Sequence, residues 1–133
     1  MSQQFQADGV ANATATTLTN GLAVQVALGN FITPPFGNCK AVVRGSLTCQ
    51  LGSVPTLLLA SLFRNPNAEN VQVGNSVQIT ATVANAFVQI YIEGTDPIPD
   101  GRAVQYQLLI TASGTGTNGA ATHAAVSATL LSG

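Results

Sequence analysis

A single histidine, His123, is the one side chain in this sequence with an ordinary pKa suited to proton transfer near neutral pH. A Ser-His-Asp or Cys-His arrangement would have to be built on it, with a serine, Cys39 or Cys49 as the nucleophile. No Gly-x-Ser-x-Gly elbow occurs to present such a serine. His123 also stands at the entry to a final apolar segment, where an exposed imidazole needs no catalytic purpose. No catalytic set is assigned, no cofactor is expected, and the chain reads as something other than an enzyme.

The remaining reactive groups are equally sparse. Glu93, Asp96 and Asp100 form the one acidic cluster, and an oxygen-rich loop can hold calcium, which takes about six to eight oxygen ligands. The regular spacing of a calcium loop is absent, however, and Asp96-Pro97 and Asp100-Gly101 are explained by turn chemistry. Pairing of these carboxylates with Arg64 or Arg102 in a surface loop is the expectation, each pair contributing under ~1 kcal/mol. Cys39 and Cys49, ten positions apart, are either two thiols or one disulfide. Two cysteines without a nearby histidine leave a zinc site short of ligands. The Gly114-Thr115-Gly116-Thr117-Asn118-Gly119 segment lacks the lysine of a phosphate-binding loop. Tyr91 and Tyr106 could contribute to a sugar-binding platform, but on alternating segments without any tryptophan they are expected to pack in a core or an interface.

Such residues must be positioned by extended segments, because apolar side chains recur at every second position. Leu22, Val24, Val26 and Leu28 alternate with Ala23, Gln25 and Ala27; Val43, Gly45, Leu47 and Cys49 with Val42, Arg44, Ser46 and Thr48. The same period holds for Val77, Ile79, Ala81 and Val83, for Val88, Ile90 and Ile92, for Val104, Tyr106, Leu108 and Ile110, and for Ala124, Val126, Ala128 and Leu130. Residues 56–64 are the most apolar stretch; their length and the bounding Pro55 and Asn65-Pro66-Asn67 favour a central strand over a short helix. Ala84-Asn85-Ala86 is short enough to be a hairpin connection, and 94–101 reads as a loop. With a short edge strand at 71–73, this makes seven or eight strands. The fold class is all-β, an antiparallel sandwich or barrel.

Residues 1–20 lack either period and read as an extended N-terminal arm, with Phe5 as its natural anchor; residues 21–133 form the single sandwich domain. Four Lys or Arg and five Asp or Glu among 133 residues leave a net charge of −1, whereas Ser, Thr, Asn and Gln number 43. Soluble domains average about 25% charged residues. A phosphate backbone requires clustered cations, so nucleic acid is not an expected partner. No segment approaches the roughly 18 apolar residues of a membrane-spanning helix, so no membrane partner is expected either. Nothing resembles a signal peptide, and synthesis in a cytoplasm is expected. A surface of hydroxyls and amides with few lysines and glutamates has little protection against edge-to-edge pairing, which suits a protein covered by copies of itself or by a larger assembly. Phe5, Phe87 and Tyr91 are the residues expected to make such contacts.

The order of features from Arg44 to Leu131 carries a family likeness. Arg44-Gly45-Ser46-Leu47, the apolar segment ending Ser61-Leu62-Phe63-Arg64, a turn at Gly74, then Gly94-Thr95-Asp96-Pro97 and Val104-Gln105-Tyr106-Gln107-Leu108 resemble small jelly-roll structural proteins of tailed bacteriophages. These include capsid decoration proteins and fibre-head domains, similar in fold to tumour necrosis factor. The resemblance implies a jelly-roll sandwich, a homotrimer, a place on the virion surface, and a major capsid protein or other virion protein as partner. It implies a decoration or cement role that stabilises a capsid. The alternative is a receptor- or carbohydrate-binding head of a viral fibre.

Overall fold

The computed structural model describes residues 3–8, 16–18, 21, 23–32, 40–52, 56–65, 68–97, 103–114 and 119–132. Period-2 alternation is realised in ten strands: β1 (Gln3–Asp8), β2 (Thr16–Thr17), β3 (Ala23–Ile32), β4 (Lys40–Gln50), β5 (Thr56–Arg64), β6 (Val71–Gln72), β7 (Val77–Ala81), β8 (Phe87–Pro97), β9 (Ala103–Gly114) and β10 (Ala120–Ser132). Seven of the eight strands longer than two residues were expected, six from alternation and β5 from its length and bounding residues. The eighth, β1, lies in the segment read as an arm and pairs along β10 from Gln3 opposite Ser132 to Asp8 opposite Ser127. Phe5 lies on β1 opposite Leu130; its side chain is outside the described residues.

Two antiparallel sheets result. Sheet A runs β1-β10-β4-β8, with β2 also on β10; sheet B runs β3-β9-β5-β6, with β7 also on β5. The pairings are nested: β1 with β10, β3 with β9, β4 with β8, and β5 with β6 and β7. The first half of the chain therefore pairs with the second half in reverse order, and the ribbon so formed rolls into a two-layer sandwich, which is jelly-roll winding. Its apex is the turn after β5, where Asn65 and Asn70 take positive φ (47° and 52°) and the Asn70 amide donates to the Asn65 carbonyl at 2.8 Å. Asparagine tolerates this backbone region better than most side chains. The Asn65 side-chain oxygen also accepts the Gln105 amide at 2.8 Å, tying the apex to β9.

The core lies between the sheets and is almost wholly aliphatic. Val43, Ile92 and Val126 from sheet A meet Val26, Leu58, Leu62, Leu108 and Ile110 from sheet B, all essentially without solvent exposure. Residues 56–64 form the strand β5, between β9 and β6/β7, as expected.

Three local expectations change. Strict alternation in the first core strand fails because the β3–β9 register shifts between Gln25 and Ala27, so Val26 and Ala27 are both buried; a bulge accommodates the extra residue. Residues 84–86 do not close a hairpin: β7 belongs to sheet B and β8 to sheet A. The connection crosses between layers, held by Leu51 N–H to Ala86 O (2.9 Å) and Asn85 N–H to Gly52 O (3.1 Å). Finally, Gly94 to Pro97 continue β8 instead of starting a loop, pairing as far as Lys40 opposite Pro97.

Candidate functional site

The lengthening of β8 separates the acidic cluster. Alternation turns residues 88, 90, 92, 94 and 96 inward and residues 87, 89, 91, 93 and 95 outward. Glu93 and Asp96 thus lie on opposite faces, while Asp100 is outside the described residues. Among the described residues no three His, Cys, Asp or Glu side chains form a group able to hold a metal ion.

Asp96 is buried, and its two oxygens have separate partners. Oδ1 accepts from Arg64 Nη1 at 2.6 Å, and Oδ2 accepts from the Tyr106 hydroxyl at 2.7 Å. Arg64 Nε also donates to Glu69 at 3.1 Å. The expected pairing with Arg64 is present, but it is an interior link between the sheets and not a surface pair. Tyr106, with no exposed surface, packs in the core as expected and spends its hydroxyl on this link.

The outward face of sheet A holds the other half of the cluster. Glu93 Oε2 accepts from the Tyr91 hydroxyl at 2.7 Å and from Arg44 Nε at 3.1 Å, and Arg44 Nη1 donates to Thr129 Oγ1 at 3.2 Å. Hydroxyl donation, with the Arg44 guanidinium beside it, holds the Glu93 carboxyl below its ordinary range, and the same hydrogen bond raises the Tyr91 hydroxyl above its ordinary value of 10.0. The Tyr91 pair therefore favours the folded state below the unfolded tyrosine pKa and loses that contribution as pH rises through the folded one. Glu93 contributes above the unfolded carboxyl pKa and loses it as pH falls through the folded one. In a Tyr106→Phe background, Glu93→Ala is expected to move the Tyr91 titration downward by ultraviolet difference absorption; an unchanged curve would disprove the contact.

Phe87 and Tyr91 are the large exposed side chains of this face, at 66% and 58% exposure, with the exposed Gln89 between them. Across β4 they face Gln50, Thr48 and Ser46 in register. His123 is exposed at an irregularity in the β10–β4 register, opposite Thr48. The described face thus sets amides, hydroxyls and two aromatic rings beside the Arg44–Glu93 pair and His123.

Sheet B presents a different outward face. Leu28, Leu57, Leu59, Phe63 and Leu109 are half-buried there, interspersed with Gln25, Ser61, Gln107 and Thr111. Among its described outward positions none is charged. Gln107 Nε2 donates to Gln25 Oε1 at 2.9 Å, and Ser61 and Ser76 hydroxyls share a bond of 2.7 Å. The sequence marked 56–64 as a strand by its length and bounding residues but did not divide its apolar side chains between the two faces, and the bulge that brings Leu28 to this face carried no signal in the sequence.

Cys49 is a buried free thiol, and burial pushes its pKa up to about 12. Cys39 is outside the described residues. Because the thiolate is the reactive form, Cys49 in a Cys39→Ser variant is expected to resist an aromatic disulfide reagent at pH 8 and to react at once after unfolding. Rapid reaction of the native protein would contradict this burial.

No family model matches the sequence, and no curated protein matches it. Solved structures similar in fold include chains of the infectious bursal disease virus particle (TM-score 0.56, 10% identity), of its Gx strain (0.54, 12%) and of its VP2 subviral particle (0.53, 10%). Each alignment covers 98% of this chain and 34%, 36% and 32% of the respective viral chain. The chain thus spans about a third of the length of those proteins. At these identities the likeness is one of fold: an antiparallel β-sandwich shared with viral capsid chains.

Proposed function

We propose that the protein is a virion structural protein of the capsid decoration type, working mechanically and not by catalysis. In this reading it is made in the host cytoplasm, assembles as a homotrimer, and sits on the outside of a capsid, where it bridges neighbouring subunits of a bacteriophage major capsid protein. The observation that carries the reading is the outward face of sheet B, where aliphatic and aromatic side chains lie among neutral amides and hydroxyls. Such a face gains by being covered, and among its described residues nothing charged would be desolvated when a copy docks. Fold likeness to capsid chains supports the same direction. Many weak contacts of this kind, repeated over a shell, add avidity that resists internal pressure.

Phe87 and Tyr91, with Phe5 on the first strand, are the proposed contact residues. Native mass measurement is expected to give a trimer, and Phe87→Ala with Tyr91→Ala to lower capsid occupancy at least tenfold. A lone protomer at high concentration that fails to bind capsids would reject the proposal.

The exposed pair Phe87 and Tyr91 favours one second reading, a carbohydrate-binding head of a viral fibre, because flat rings beside amides and hydroxyls suit the face of a sugar. A glycan-array screen separates the two: specific sugar binding lost in Tyr91→Ala supports the head.

A further inference from the structure

Sheet A ends at β8, and among the described residues β8 pairs with β4 alone. No described strand takes up the row of backbone N–H and C=O groups on the other side of this eleven-residue strand. Proteins usually protect such an edge with a lysine, a proline, a bulge or a covering segment. At Gly94 the strand is met on its inward face and not along its edge: a Cβ added there would lie 2.7 Å from the Val73 carbonyl oxygen. Residues 87–92, Phe-Val-Gln-Ile-Tyr-Ile, have none of the residue-borne protections: they contain no charge and no proline, and the β4–β8 register runs through them without a bulge. Among the described residues β3 is an edge of sheet B, and it, by contrast, is broken by its bulge at Gln25/Ala27.

We propose that residues 87–91 pair antiparallel with the same residues of a second copy about a two-fold axis at Gln89, joining two sheets A into one continuous sheet. The sequence fits its own reverse in this register. With Gln89 opposite Gln89, Phe87 of each copy lies across from Tyr91 of the other on the outward face, and Val88 across from Ile90 on the inward face. Cross-strand aromatic and β-branched pairs are among those that stabilise a sheet. A shift by two residues would instead set Phe87 against Glu93. Neutrality of the whole segment removes like-charge repulsion at the axis, where a charged residue would face itself. The two-fold contact is isologous and closes on itself, which leaves the outward face of sheet B open for another interface. The inference deepens the self-assembly part of the proposed function and rests on it.

The test uses the full chain. In sedimentation equilibrium, Gln89→Lys should weaken self-association at least tenfold by setting two ammonium groups opposite each other, while Thr95→Lys, outward on the same strand but beyond the paired residues, should not. Gln89 is exposed, so the unfolding midpoint should not change. In a Cys39→Ser background, Gln89→Cys should form a disulfide-linked dimer on mild oxidation, because directly opposed strand residues have Cα atoms about 4.5–5.5 Å apart, within disulfide reach. Thr95→Cys should remain unlinked. An oligomer that survives Gln89→Lys unaltered, or one in which Gln89→Cys does not cross-link, overturns the edge pairing and leaves self-assembly standing. A protein that is monomeric throughout overturns both.

Discussion

Asp96→Ala is expected to cost about 3–5 kcal/mol of folding stability, the range for breaking a buried ion pair from one side. The carboxylate is 4% exposed and its Arg64 partner 12%, so water cannot replace what the substitution removes. Arg64 retains Glu69 at 3.1 Å, which places the loss toward the lower end. Tyr106 would also lose its 2.7 Å hydrogen bond to the carboxylate. Tyr106→Phe removes only the neutral arm of the link and should cost less, about 1.5–3 kcal/mol, the value of a hydrogen bond to a charged group. Replacing both ions, Arg64→Met with Asp96→Leu, should recover much of the loss, because a buried pair is often no better than well-packed aliphatic side chains. Urea unfolding at one fixed protein concentration measures all four proteins and keeps self-association from confounding the comparison. A loss below about 1 kcal/mol for Asp96→Ala would mean that the sheets are held together without this link.

The crossing of the Val73–Gly74 backbone over β8 gives the second large effect. Gly94→Ala should destabilise by about 1–3 kcal/mol, the usual cost of overpacking, since its Cβ would lie 2.7 Å from the Val73 carbonyl oxygen and 2.9 Å from the Val73 carbonyl carbon. Both are backbone atoms that cannot rotate away. Gly74→Ala meets the same obstruction from the other side, 2.9 Å from the Gly94 Cα, and adds the strain of φ +71°, about 1–2 kcal/mol for a residue with a Cβ. The Gly74 variant should therefore be the less stable of the two by thermal unfolding. Equal tolerance of alanine at 74 and 94 would show that the two backbones do not meet.

Both effects depend on residues whose positions were partly legible in the sequence. The parity of Val88, Ile90 and Ile92, extended four residues, puts Asp96 on the inward face, and the parity of Val104, Leu108 and Ile110 puts Tyr106 there too. The Asp96-Pro97 turn signal argued the other way, and it yields because Arg64 waits at the end of β5 to compensate the buried carboxylate. Arg64 and Asp96 are 32 positions apart, and no local pattern reports a contact over that separation.

Alternation of aliphatic and neutral polar residues determined by itself that this chain forms strands, which side chains of 41–49, 77–81 and 87–92 turn inward, and that the outward faces carry little charge, because side-chain direction along a strand follows from the backbone of that strand alone. Tertiary structure alone decided the nested pairing, the bulge at Gln25/Ala27, the crossing of 84–86 between layers and which strand is left as an edge. Those features depend on which distant segments share the core, and that balance of burial and loop closure is not written in any one segment.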